Sequence, residues 1–269
     1  MLRPGFLIPV FFLPLAAAWG QPAWNESSVS GAGGTFVSRS ILTGGRYNQA
    51  GLGWITRTAY ALQHAQPFII GELGVAALSV QLPLGSGGMG VTLSTFGLEG
   101  YRQSSLWLSY GMRLHPRVTA GIGLHLWHMG VTDRTNLHLG LSCALGLMVR
   151  TGENLVMGGH VMHPVSWTSD RGGPPGKPMI VSVGWSYSFM GTATWNGDLS
   201  LASGGILGLC QGLEIRAGER LTLMTGVHNH PFAISGGTTL RYRHWSITIA
   251  AEYIPETGLT PSSTLSHER

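Results

Sequence analysis

Past Gln21 apolar and polar residues alternate in short segments separated by Gly, Pro or Asn turns. The clearest run is Leu137 to Arg150, with Leu137, Leu139, Leu141, Cys143, Leu145, Leu147 and Val149 on one face. His138, Gly140, Ser142, Ala144, Gly146, Met148 and Arg150 take the other. A period of two marks a β-strand, and an unbroken apolar stripe on a strand must meet either a core or lipid.

The pattern predicts fourteen strands, at 58–69, 72–84, 89–101, 104–115, 117–131, 135–149, 153–166, 179–191, 193–203, 205–217, 220–231, 233–243, 245–254 and 258–266. Their lengths suit the ~9 to 11 residues that cross a bilayer at a tilt. Charge keeps to one side of the better segments, as with Arg113 and His115 opposite Leu106, Leu108, Tyr110 and Leu114. Glu214 and Arg216 likewise lie opposite Leu213 and Ile215, and Glu252 lies opposite Trp245, Ile247, Ile249 and Tyr253. A backbone crossing lipid must close into a barrel, and charge on its outer face is costly, so the polar faces are expected to line a lumen. The fold class expected is therefore all-β, a transmembrane antiparallel β-barrel of about fourteen strands. Trp245 and Tyr253, at the two ends of one apolar face, are the expected interface aromatics.

Composition supports lipid over water. Charged residues are 10% of the 269-residue chain, against roughly 25% in soluble domains. A water-soluble secreted β protein is the alternative that this scarcity disfavours. The net charge of +4 comes with no basic run interleaved with aromatics, so nucleic acid is not an expected partner. Cys143 and Cys210 stand alone, without metal-ligand spacing.

Residues 1–20 have the form of a cleaved export signal: Arg3, an apolar stretch from Phe6 to Ala18, then a small-residue exit. Residues 21–57 are rich in Gly and Ser and are expected to form a plug inside the 58–269 barrel. Arg113, Glu214, Arg216, Arg241, Arg243 and Glu252 form the expected lumenal charged network, holding the plug or lining a path. Pro67 and Pro83 are candidate kink sites, since Pro removes a ladder hydrogen bond.

Within 21–57, Gly31, Gly33 and Gly34, followed by Asn48, Ala50, Gly51 and Leu52, resemble the N-terminal signature of outer-membrane barrels related to the FadL fatty-acid transporters. The same segment is similar to that of the PorV and PorQ proteins of the type IX secretion system. The resemblance continues through Phe96 to Tyr110 and, more loosely, ends at Thr264 to His267. It implies a fourteen-stranded barrel with an N-terminal hatch, in the cell outer membrane.

Catalytic and metal chemistry find little in the pattern. His228 and His230 share a strand face, and His125, His128, His160 and His163 fall in neighbouring strands, but no Cys or carboxylate cluster accompanies them. His163 with Ser166, and His267 with Ser266, are the nearest Ser–His pairs, without an evident third group to orient the base. The expectation is a non-enzymatic barrel without cofactors, its first partner outer-membrane lipid. The function expected is that of an accessory subunit of a secretion or outer-membrane assembly complex, acting through contacts with other proteins; the alternative is a passive transporter of a hydrophobic small-molecule ligand. A membrane wash with high pH or urea is expected to leave the protein in the pellet; release into the supernatant would mean that the stripes form a water-soluble core.

Overall fold

The computed structural model describes residues 25–42, 45–98, 100–131, 138–169 and 177–269. The export signal, Leu137 at the head of the opening stripe and most of the loop 169–177 lie outside the described residues. The strands are β1 (Ala59–Ala65), β2 (Val75–Leu84), β3 (Gly87–Leu98), β4 (Tyr101–His115), β5 (Val118–Val131), β6 (His138–Arg150) and β7 (Leu155–Thr168). They continue as β8 (Ile180–Phe189), β9 (Ala193–Ala202), β10 (Leu207–Ala217), β11 (Leu221–Asn229), β12 (Phe232–Tyr242), β13 (Trp245–Ile254) and β14 (Gly258–Glu268). Each pairs with its sequence neighbours, and β1 closes on β14, from Ala59 opposite Glu268 to Ala65 opposite Ser262. The result is a closed antiparallel barrel of fourteen strands with no free edge.

Alternation becomes an outer and an inner wall. Leu62, Leu78, Leu93, Leu106, Leu126 and Leu141 are consecutive cross-strand partners in a single row around six strands. Leu62 is 58% and Leu93 51% exposed, and among the described residues no element covers either. Apolar surface left in water forfeits about 25 cal/mol per Å², so a belt of this kind belongs against acyl chains. Inside, hydroxyl and amide side chains bond across strands: Ser79 to Thr92 at 2.9 Å, Ser182 to Ser200 at 2.8 Å and Thr239 to Thr248 at 2.8 Å.

Two local expectations change. The first strand stops at Ala65 because Pro67 opens a 3-10 turn in which Phe68 and Ile69 take φ of 57° and 58°. Pro83 makes no kink and stays in register opposite Gly88 near the end of β2. The distortion lies instead in β7.

Residues 25–57 contain a short helix, α1 (Ser27–Gly31), and a 3-10 turn, Gln49–Trp54, in which Asn48 Oδ1 accepts from Ala50 N at 3.1 Å. The segment touches the inner wall on many sides. Gly33 N donates to Ser235 Oγ of β12 at 3.1 Å, Thr264 Oγ1 of β14 to Ser27 Oγ at 3.0 Å, and Asn48 Nδ2 to the carbonyls of Leu147 and Gly159, both at 3.3 Å. Inward-facing glycines make this approach possible. A Cβ would stand 2.5 Å from Ala50 N at Gly121, 2.7 Å from the Val37 carbonyl carbon at Gly158, and 2.6 Å from the Ala32 carbonyl carbon at Gly226. No real Cβ tolerates such backbone contacts.

Gly121→Val and Gly226→Val are therefore expected to unseat the segment. An overpacking cost of about 1–3 kcal/mol corresponds to roughly a 5- to 150-fold rise in trypsin cleavage at Arg39 or Arg46 of the folded barrel. Gly204→Val, at a position with nothing near it, is expected to cleave like wild type. Equal cleavage in all three would contradict the seating.

Candidate functional site

Strand β7 is broken in the middle. Ser142 pairs with Ser166 and Ala144 with Met162, so His163, Pro164 and Val165 together oppose Cys143 alone. His163 adopts φ 56°, and Pro164 has no N–H to offer a ladder. On the other side the β7–β8 pairing runs from Leu155 opposite Tyr187 to Met162 opposite Ile180 and stops there. Among the described residues, the tie across the remaining stretch is Lys177 N donating to Ser166 Oγ at 3.0 Å. Val165 and Trp167 on this stretch are 68% and 59% exposed. The wall thus loses its backbone ladder where large apolar side chains face outward.

Behind the break the chain assembles aromatic and basic side chains. Trp107 and His125 stack with centroids 4.0 Å apart, and Trp127 lies 5.1 Å from His125. The Lys177 Nζ sits 4.4 Å from the Trp127 ring centroid and 3.2 Å from His125 Nδ1. When Lys177 is protonated it only donates, so His125 Nδ1 then accepts. His163 Nδ1 is 2.7 Å from Ser142 Oγ, and its ring is 5.8 Å from that of His125. All of these rings and Lys177 are buried. Burial, and secondarily Arg46, push the Lys177 ammonium down to about 7. Lys177 has no carboxylate within ion-pair reach among the described residues. The arrangement offers flat aromatic faces and one weakly held cation, suited to binding an apolar ring by stacking or cation–π contact.

A second set of contacts ties residues 25–57 to β9 and β10, the strands that follow β8 in the wall. Phe36 N and Val37 N donate to Asp198 Oδ2 of β9 at 2.6 and 3.0 Å. Arg39 Nη2 lies 2.9 Å from Glu214 Oε1, which also accepts from Asn196 Nδ2 at 2.8 Å. Tyr47 OH accepts from Glu26 N at 2.7 Å, and burial pushes that phenol up to about 12.

The charged residues singled out from sequence separate into two groups. Glu214 meets Arg39, and Glu252 meets His228 at 3.3 Å. Arg113, Arg216, Arg241 and Arg243 join neither carboxylate; they are exposed at strand ends or turns, where water solvates them at no burial cost. Arg216 Nη2 donates to Gly191 O at 2.6 Å, and Arg243 stands 5.5 Å from the Tyr242 ring. Gly31, Gly33 and Gly34 lie against β10 to β13, and Asn48, Ala50, Gly51 and Leu52 against β3 to β6. Trp245 and Tyr253 are exposed at opposite ends of β13, Trp245 packing 4.6 Å from His267.

Of the Ser–His candidates, Ser166 binds Lys177 N, while Ser266 Oγ pairs with Ser246 Oγ at 2.6 Å; neither meets its expected histidine. Ser142 and His163 do meet, unforeseen from sequence, without a carboxylate to orient the imidazole among the described residues. No group of metal-ligating residues assembles among the described residues. Sequence reasoning also missed Asp198 and Lys177. The lone Lys among fifteen Arg was a signal, and so was Pro164 inside a strand.

No family model matches the chain, and no curated protein matches it by sequence. Solved structures do match. The toluene transporter TbuX of Ralstonia pickettii superposes with a TM-score of 0.68 at 11% identity, over 91% of this chain and 98% of that one. The P. putida toluene transporter TodX gives 0.69 at 11%, with the same two coverages. A Pseudomonas aeruginosa FadL homologue gives 0.59 at 10%, over 91% and 97%. The fold is that of the FadL-type outer-membrane barrels. None of these three neighbours is a secretion-complex subunit, and the PorV and PorQ likeness gains no support from them.

The lowered Lys177 value has a testable sign. Between about 7 and the ordinary 10.5 the unfolded chain holds the extra proton, so folding is favoured as pH rises through that window. Relative to Lys177→Met, the wild-type barrel is expected to gain resistance to urea between those pH values, followed by tryptophan fluorescence. Parallel pH profiles for the two proteins would rule this out.

Proposed function

We propose that the protein is a passive outer-membrane channel for small hydrophobic molecules, with residues 21–57 as its plug and the break in β7 as a lateral way out of the lumen. The carrying observation is the coincidence of the interrupted β7–β8 ladder with the buried ring cluster of Trp107, His125, Trp127 and His163. An apolar molecule leaving the rings at that point enters the lipid beside Val165 and Trp167 without crossing water. Fold neighbours that are toluene transporters and a monoaromatic hydrocarbon channel favour this reading over the accessory subunit. The orientation follows from the connections: the end where Arg269 N meets Thr58 O has short turns such as 85–86 and 116–117, while the other holds 66–74 and 169–179. Short turns face the periplasm in such barrels. The break and the ring cluster then lie toward the outer side.

The test is uptake of toluene by cells that lack other entry routes. Deleting Pro164 and Val165 restores one-to-one pairing opposite Cys143, and is expected to reduce uptake about tenfold, a barrier rise of ~1.4 kcal/mol. Folding of the deletion variant is checked by heat-modifiable mobility. Wild-type uptake in a folded deletion variant would sink the lateral route, and absence of uptake in wild type would sink the channel reading itself.

A further inference from the structure

The outer wall over β1 to β5 holds a groove of about 520 Å³ that the channel reading does not use. Its floor is the row Leu62, Leu78, Leu93, Leu106 and Leu126, each opposite the next. Two residues along the strands, toward the long connections, stands a second row: His64, Ala76, Thr95, Ser104 and His128, again each opposite the next. Short side chains in its middle make the depression, and hydroxyls and imidazoles replace the methyl groups. Two residues further, Arg102 is exposed between its cross-strand neighbours Gly97 and Gly130, which leave its guanidinium uncovered. Arg102 has no carboxylate partner among the described residues. A second groove of about 280 Å³ shares Leu62 and Leu78 and extends the apolar track toward Trp245 and His267.

The vertical order is hydrocarbon, then hydroxyl and imidazole, then a guanidinium that meets no carboxylate among the described residues. Two residues rise roughly 6.8 Å along a strand, and a tilt of ~40° places Arg102 about 10 Å above the leucine row. A membrane amphiphile has the same sequence of parts at the same scale: acyl chains, ester or amide linkages, and a phosphate. Guanidinium binds phosphate through two parallel hydrogen bonds, and does so best where no carboxylate competes.

We propose that this face is a specific site for the phosphorylated, multiply acylated glycolipid of the outer leaflet, with acyl chains on the leucine row and a phosphate on Arg102. Leaflet and width select that lipid over a glycerophospholipid. The groove lies toward the long-connection end, and it spans five strands, roughly 19 Å at ~4.8 Å per spacing, wider than two chains side by side. The site shares with the ring cluster behind the β7 break only Trp127, which lines the groove and whose ring lies beneath Lys177.

The full-length protein is placed in nanodiscs containing equal amounts of lipid A and phosphatidylglycerol, and bound lipid is counted by native mass spectrometry. Lipid A is expected to be retained in preference. Arg102→Glu should lower its retention about tenfold or more, as loss of a charged hydrogen-bond pair implies. Thr95→Leu with Ser104→Leu, which fills the depression, should do likewise in barrels of unchanged heat-modifiable mobility, and Arg220→Glu at the opposite rim should not. Equal retention by wild type and Arg102→Glu, or equal retention of the two lipids, overturns the proposal. Toluene uptake by Arg102→Glu separates the two readings, because it stays at the wild-type level if the sites are independent.

Discussion

Everything in this molecule depends on the seam between β1 and β14. A strand edge in hydrocarbon leaves N–H and C=O groups without partners, at several kcal/mol each. Pairing Ala59 with Glu268 and continuing to Ala65 with Ser262 removes both edges together. Once the sheet is closed, each strand has only an outside and an inside. Leu62 and Leu265, direct partners across the seam, then continue one leucine belt without interruption.

Closure also creates an interior that must be occupied by side chains, water or chain. Here the N-terminal segment approaches so closely that glycine is the only residue the wall accepts at positions such as Gly121, Gly158 and Gly226. The contact is backbone against backbone, so its polar groups need partners. Asp198 supplies two acceptor contacts, and Asn48 spans from Val37 O to the carbonyls of Leu147 and Gly159. The abundance of glycine is thus partly an account of how near one backbone comes to another. Further along β7, where the ladder is interrupted, the wall carries the ring cluster instead.

Much of the fold was legible from alternation. The strands β4, β5, β9 and β13 fall within three residues of the expected bounds, because period-two patterning and turn residues act locally. The break in β7 was not read, although Pro164 marks it. A proline only says that one hydrogen bond is missing; whether the strand bulges, ends or sits at an edge depends on its two neighbours. Pro83, in an equally apolar strand, stays in register at the strand's end. The carboxylate partners were also misjudged. Glu214 and Glu252 are far from Arg39 and His228 in sequence, or two strands away, and only the curvature of the closed sheet decides which cation reaches them.

By itself the sequence determined that this chain forms strands, that one face of each is apolar over a bilayer's height, and that its scarce charges lie on the other. Those are properties of single residues and of their spacing, which need no partner to be read. Only the tertiary structure decided that Lys177 lies over Trp127, that Asp198 holds Phe36 and Val37, and that Thr95, Ser104 and His128 stand in one row beneath Arg102. These depend on register between strands. Sliding any strand by one residue would send its side chains to the opposite wall.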